Sequence, residues 1–180
     1  RLQDSFLPNE SRAFISLNRG KRSLPLDLNQ PEAREIIYKL IPDTDVVVIN
    51  ARPDMPYNLG IDYETLSGKN PRLIYCDNTA YGRKGPQSYR PGYDLIVQAL
   101  TGLMASEGKF TDGVPQQIVS TAVADFATGI AIAWGVCAGL YHRERTGKGQ
   151  MVETSLMATA LNVQTSRFIQ VEAVDDERRS

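Results

Sequence analysis

Asp125 stands in the run Thr121-Ala122-Val123-Ala124-Asp125-Phe126-Ala127-Thr128-Gly129, at the head of a stretch, Phe126 to Tyr141, that carries no charge. At the amino end of a helix a carboxylate meets free backbone N–H groups and the positive end of the dipole, and both favour its ionised form. Two roles follow from that placement: a helix cap, or a carboxylate held ready for chemistry. Two further segments carry donors suited to a phosphorylated or carboxylated small molecule. Asn50-Ala51-Arg52-Pro53 follows one apolar run and Asp77-Asn78-Thr79-Ala80-Tyr81-Gly82 follows another. Side-chain amides, a guanidinium and loop backbone donors are the groups such a ligand needs. Asn50 and Arg52 equally suit the closing of a solvated turn.

Other chemistries find little support. Gly147-Lys148-Gly149 lacks the third glycine and the strand-to-helix setting of a dinucleotide motif, and no Gly-x-x-x-x-Gly-Lys-Ser/Thr occurs. The two cysteines, Cys76 and Cys137, lie far apart in apolar stretches without Cys-x-x-Cys or histidine pairing, so neither a metal site nor a disulfide framework is expected. His142 is the only histidine and sits beside Arg143, Glu144 and Arg145, which reads as a solvated helix end rather than a catalytic triad.

With 42% apolar and 23% charged residues, the chain has an ordinary globular composition and room for one domain with a core. Twenty lysines and arginines against 21 aspartates and glutamates leave no bulk charge to attract nucleic acid or a membrane surface. Any anionic ligand must be held by local donors. The stretch Phe126 to Tyr141 is shorter than the ~20 apolar residues of a spanning helix, and extending it backward brings in Asp125, so a core helix is expected. No secretory or transit leader is read at Arg1, and a cytoplasmic location, or an organelle matrix in a eukaryotic source, is expected.

The elements that position these residues follow from pattern. Ser23 to Leu28 reads as a short strand. Pro31 to Ile41 reads as an amphipathic helix, with Pro31 at its start, Asn29 as a nearby cap and Glu32 in the first turn. Asp45 to Asn50 (DVVVIN) and Arg72 to Cys76 (RLIYC) are apolar on both faces, as central parallel strands covered by helices are. A short helix is expected over Tyr63 to Ser67, a long loop over Asn78 to Gly92, and a helix over Tyr93 to Ser106. After a second loop, Glu107 to Pro115, a long helix runs from near Ala124 to about Thr146. Gln150 to Thr154 is a further strand, another helix starts at Ser155, and the tail Asp175 to Ser180 is charged. Alternating strands and helices of this kind argue for an α/β fold with an open, mostly parallel, Rossmann-like sheet and helices on both faces.

The run Leu17 to Leu28 (LNRGKRSLPLDL) resembles the segment LNRNKRSxxLDL of the class III CoA-transferases, of the formyl-CoA and carnitine CoA-transferase type. Four more stretches agree in order: Asp45 to Pro53, Asn70 to Tyr75, Tyr89 to Gln98 with Gly102-Leu103-Met104, and Ala124 to Ser155. The resemblance implies that the chain is an internal part of a longer protein. Residues 1–155 then belong to a large CoA-binding α/β domain, and 156–180 lead towards a smaller one.

It also implies roles. The aspartate of the family's ADxxxG motif falls on Asp125 and is the expected nucleophile, while Asp94 falls on an acidic active-site position. The CoA pocket falls on Leu26 to Asn29, on Asn50, Ala51 and Arg52, on Asn58 and Leu59, and on Pro91 to Asp94 with Tyr93 among them. Asp54 replaces a glycine and Asn58 an arginine of the family pattern, which weakens the local attraction for CoA phosphates and leaves Arg52, Arg83 or Lys84 to compensate. Coenzyme A enters as acyl-CoA substrate, with a small carboxylic acid as the second substrate and an interlocked homodimer as the implied assembly. No metal is implied.

The implied reaction transfers CoA from an acyl thioester to a free acid through an aspartyl anhydride and an aspartyl-CoA thioester. It requires an ionised carboxylate shielded from water. A CoA-thioester racemase of the same superfamily is the first rival, but Gly92-Tyr93-Asp94 stands where racemases carry Gly-His-Asp, and a tyrosine with a pKa near 10 is a poor base at neutral pH. A CoA-binding homologue without catalysis is the second.

Overall fold

The computed structural model describes residues 11–118 and 121–168. Its centre is a three-stranded parallel sheet in the order β1-β2-β5, formed by β1 (Val46–Asn50), β2 (Ile74–Thr79) and β5 (Gln150–Ser155). β-Branched and aromatic residues favour these strands because their stiff side chains pack well on a pleated surface. Two helices, α3 (Met55–Leu59) and α4 (Tyr63–Ser67), connect β1 to β2. Between β2 and β5 lie α5 (Asp94–Leu100), α6 (Leu103–Ser106), the hairpin of β3 (Phe110–Thr111) with β4 (Val114–Pro115), and the 24-residue α7 (Val123–Thr146). Two helices, α1 (Arg12–Leu17) and α2 (Pro31–Leu40), precede the sheet, and α8 (Leu156–Asn162) follows it. The expected α/β class and parallel sheet are therefore present.

Strand alternation divides the core in two. Tyr75 points to one face, where Ile41, Leu66 and Leu73 are buried with it and Val47, Ile49, Met151, Tyr38 and Tyr63 pack around. Each of those fully buried side chains contributes roughly 1.5–3 kcal/mol relative to exposure. Ile74 and Cys76 point to the other face, onto α7. Close approach there depends on two glycines one turn apart. A Cβ on Gly139 would lie 3.2 Å from Ile74 Cγ2, and one on Gly135 would lie 2.7 Å from Val152 Cγ1. At its far end α7 is clasped to the sheet by buried Arg143, whose guanidinium reaches Asp45 Oδ1 at 2.9 Å and the Arg72 carbonyl at 3.4 Å.

Several expectations needed correction. Ser23 to Leu28 forms no strand. Instead Asp27 Oδ1 accepts from the backbone and side-chain nitrogens of Asn29, closing a local turn. That also removes Asn29 as a cap, and Gln30 precedes α2 without a side-chain cap bond. β2 begins two residues later than expected and continues through Asp77, Asn78 and Thr79, all buried, because polar side chains in its second half find partners inside the fold. The expected helix from Tyr93 to Ser106 is broken in two at Gly102, whose φ of 75° is left-handed. Val48 is 51% exposed, so β1 is covered by helices on only one face among the described residues.

α7 differs from expectation in its surroundings rather than its bounds. It is long and apolar enough to cross a membrane by length and composition alone. One side packs on β2, β5, α5 and α8. The other exposes Phe126, Ile130, Trp134 and Tyr141, so the helix is buried along one face rather than all round. The helix expected from Ser155 is capped by that serine but ends at Asn162, with a 3-10 turn at Thr165–Phe168. The tail Asp175 to Ser180 lies outside the described residues.

Candidate active site

Parallel strands bring the loops at their carboxyl ends to one edge of the sheet, and a ligand cleft is expected there. A broad, open cleft of about 1990 Å³ occupies that edge. Asn50, Ala51, Arg52 and Pro53 leave β1 to form one wall, and Pro91, Gly92, Tyr93 and Asp94 form another. The start of α7 supplies Ala122, Asp125, Phe126 and Gly129. Residues as far apart in sequence as Asn50 and Gly129 thus meet in one place.

The two aspartates divide the work of the helix end between them. Asp94, in the first turn of α5, turns its Oδ1 to the start of α7, where it accepts the backbone N–H of Ala124 at 2.7 Å and of Asp125 at 3.2 Å. Ala122, the residue preceding α7, has no side-chain cap bond of its own. Asp94 is therefore the cap of α7, supplied from another helix. The capping role open to Asp125 is taken, and its carboxylate accepts no hydrogen bond among the described residues.

Gln98 completes the arrangement and was not singled out in the sequence. It is buried, its amide nitrogen donates to Asp94 Oδ2, and its Oε1 accepts from the backbone N–H of Ile118 at 3.0 Å. A glutamine four residues after an aspartate on one helix is a known stabilising pair, and that spacing was the available signal. Desolvation by the surrounding chain, and then the charge of Asp94, push the Asp125 carboxyl above its ordinary value. A more basic carboxylate with unengaged lone pairs is a better nucleophile. Asp125 is nevertheless exposed to the open cleft, so the described residues do not provide the shielding from water that the sequence reading required.

Of the other expected binding positions, Asn50, Ala51, Arg52, Pro91 and Tyr93 line the cleft. Leu26, Asn29, Asn58 and Leu59 are not brought to it. Asn29 is tied to Asp27, and Asn58 lies 3.4 Å from Asp54 on the exposed side of α3. Two of the cations expected to compensate can be placed. Arg83 is engaged by Asp77 and by the Pro53 carbonyl. Arg52 sits a loose 3.9 Å from Asp54, with both side chains more than half exposed. On the α1 side the cleft is lined by Arg12, Ser16 and Leu17, a contribution that the sequence did not suggest.

The sequence profile of CoA-transferase family III matches residues 1–180. The chain belongs to that family. Within CoA-transferase family III it is similar to the acetyl-CoA:oxalate CoA-transferase of Acetobacter aceti, with 38% identity over 87% of this chain and 40% of the relative. It is also similar to the succinate–glutarate CoA-transferase of Agrobacterium fabrum, with 41% identity over 83% of this chain and 37% of the relative. A solved CaiB/BaiF family protein from Brucella suis superposes with a TM-score of 0.78 at 36% identity, over 90% of this chain and 44% of the other. The chain thus spans about two fifths of the length of the family III relatives it matches.

Proposed function

We propose that the protein transfers coenzyme A from an acyl-CoA thioester to a free carboxylic acid, with Asp125 as the covalent carrier. The observation that supports this most directly is the division of labour at the start of α7. Asp94 caps the helix, which leaves the Asp125 carboxylate without a hydrogen bond among the described residues and facing the cleft.

In this reading an Asp125 oxygen attacks the donor carbonyl carbon, the C–S bond breaks, and CoA leaves as thiolate. The thiolate then attacks the Asp125 side of the mixed anhydride, releasing the donor acid and forming an aspartyl-CoA thioester. An acceptor carboxylate attacks that thioester, thiolate leaves again, and its attack on the acceptor acyl carbon returns Asp125 as carboxylate. The pantetheine arm would run between the Asn50 to Arg52 wall and the Pro91 to Tyr93 wall. Water exclusion at Asp125 falls to parts of the intact protein outside the described residues.

Mixing the intact protein with an acyl-CoA and a free acid, and following CoA redistribution by mass, tests the assignment. Asp125→Ala is expected to abolish exchange and to remove the hydroxylamine-trapped adduct on the peptide containing residue 125, with the fold intact. Exchange at the parental rate in that variant would refute the proposal.

A further inference from the structure

A second network, separate from the two aspartates, ties together the loops on the β1 side of the cleft. Asp77 lies in the second half of β2 with a fully buried side chain. Its Oδ2 is paired with Nε of Arg83, from the loop after β2, and its Oδ1 has no hydrogen-bond partner among the described residues. The same guanidinium donates from Nη1 to the Pro53 carbonyl at 2.7 Å, and it lies over the Tyr57 ring at 5.6 Å from the centroid. One side chain, itself only 15% exposed, thus joins β2, the turn after β1 and α3. Pro53 directly follows Asn50, Ala51 and Arg52, the residues of the cleft wall.

A buried carboxylate requires a cation, and a lysine could meet that need. Spanning two acceptors on different elements while stacking on a ring needs the planar, forked geometry of arginine. The extra reach is directed at the backbone of the cleft wall. We propose that Arg83 is a positioning residue for ligand binding: by holding the Pro53 carbonyl against β2, it fixes the Asn50 to Arg52 wall in the conformation that receives the ligand. The inference rests on the reading of this cleft as an acyl-CoA site.

The test uses the intact protein with Arg83→Lys, which keeps a positive charge beside Asp77 but cannot also grip Pro53. A double variant, Asp77→Ser with Arg83→Met, removes both charges and so leaves no orphaned ion. Both are expected to fold, to bind CoA about tenfold more weakly by calorimetry, and to show a matching rise in KM for acyl-CoA with kcat within about twofold of the parent. Parental affinity in both variants would make Arg83 a charge partner only and overturn the inference, as would a fall in kcat at unchanged KM. Failure of both variants to accumulate as folded protein would overturn it too, by assigning Arg83 to folding. Parent protein that does not bind CoA at all would sink the acyl-CoA reading first. Parent binding with undiminished affinity in the variants sinks this inference alone.

Discussion

Asp125 and Asp94 show how two identical side chains acquire different properties from their neighbours. Asp94 accepts two backbone N–H groups and the Gln98 amide, while Asp125 accepts no hydrogen bond among the described residues and is pushed up by desolvation and by the Asp94 charge. A folded value above the ordinary one means that Asp125 ionises only at higher pH than a free aspartate, so activity that depends on its carboxylate falls off earlier on acidification. Asp94→Asn keeps an oxygen to cap α7 and removes the charge. The acid limb of the kcat/KM profile is therefore expected to move to lower pH, without reaching the ordinary aspartate value, because burial is the larger cause and persists. The Gln98 amide would then face another amide, and the mismatch should cost about 1–2 kcal/mol of stability in urea unfolding. An acid limb that stays in place or moves up would show that the two carboxylates do not interact.

At the level of elements, what could be read from sequence was whatever a residue's near neighbours decide. The short helix Tyr63–Ser67 was placed at its observed bounds, and α7 within one residue, because caps, turns and apolar runs are local. Distant partners were hidden. Nothing near Asp94 indicates that it caps a helix beginning 29 residues later, and nothing near Arg83 announces that it reaches the Pro53 carbonyl 30 positions before it. The second half of β2 is hidden for the same reason, since Asp77, Asn78 and Thr79 look like loop residues until their interior partners are known. Gly149 illustrates a purely spatial constraint at the entry to β5. A Cβ there would lie 2.1 Å from the Leu73 carbonyl oxygen and 2.5 Å from the Arg72 carbonyl carbon, and backbone atoms cannot move aside cheaply. Gly149→Ala is expected to destabilise the fold by ~3 kcal/mol or more, read from the denaturant midpoint. A loss under about 1 kcal/mol would mean that the β2–β5 junction is looser than described.

Across the whole molecule, the clearest mismatch between surface and solvent is the outer face of α7. Ile130 is 71% and Trp134 78% exposed, and Phe126 and Tyr141 continue the stripe. A contiguous apolar face of that kind marks a surface that other parts of a protein cover or that self-associates. Trp134 is the only tryptophan in the chain, so its fluorescence reports on that face alone. Emission from the isolated 180-residue chain is expected to be red-shifted and readily quenched by iodide at low concentration, and in the intact protein Trp134→Phe is expected to remove a blue-shifted, iodide-protected component. Trp134 equally exposed in both would mean that the face stays bare. The sequence disclosed that this helix is apolar, but not which side of it the sheet would take, because every face of it carries alanine, glycine or a large apolar residue.

The clasp at Arg143 has one more implication. Asp125 lies 18 positions before it on the same 24-residue helix, a separation of about 27 Å at ~1.5 Å per residue. With Arg143 holding that end and Asp94 capping the other, a swing of only ~2° about the clasp would carry the Asp125 end of α7 by about 1 Å. Displacements of that size are enough to change reaction rates by orders of magnitude. The edge of the sheet farthest from the cleft is thus also the pivot about which the aim of the Asp125 carboxylate would turn.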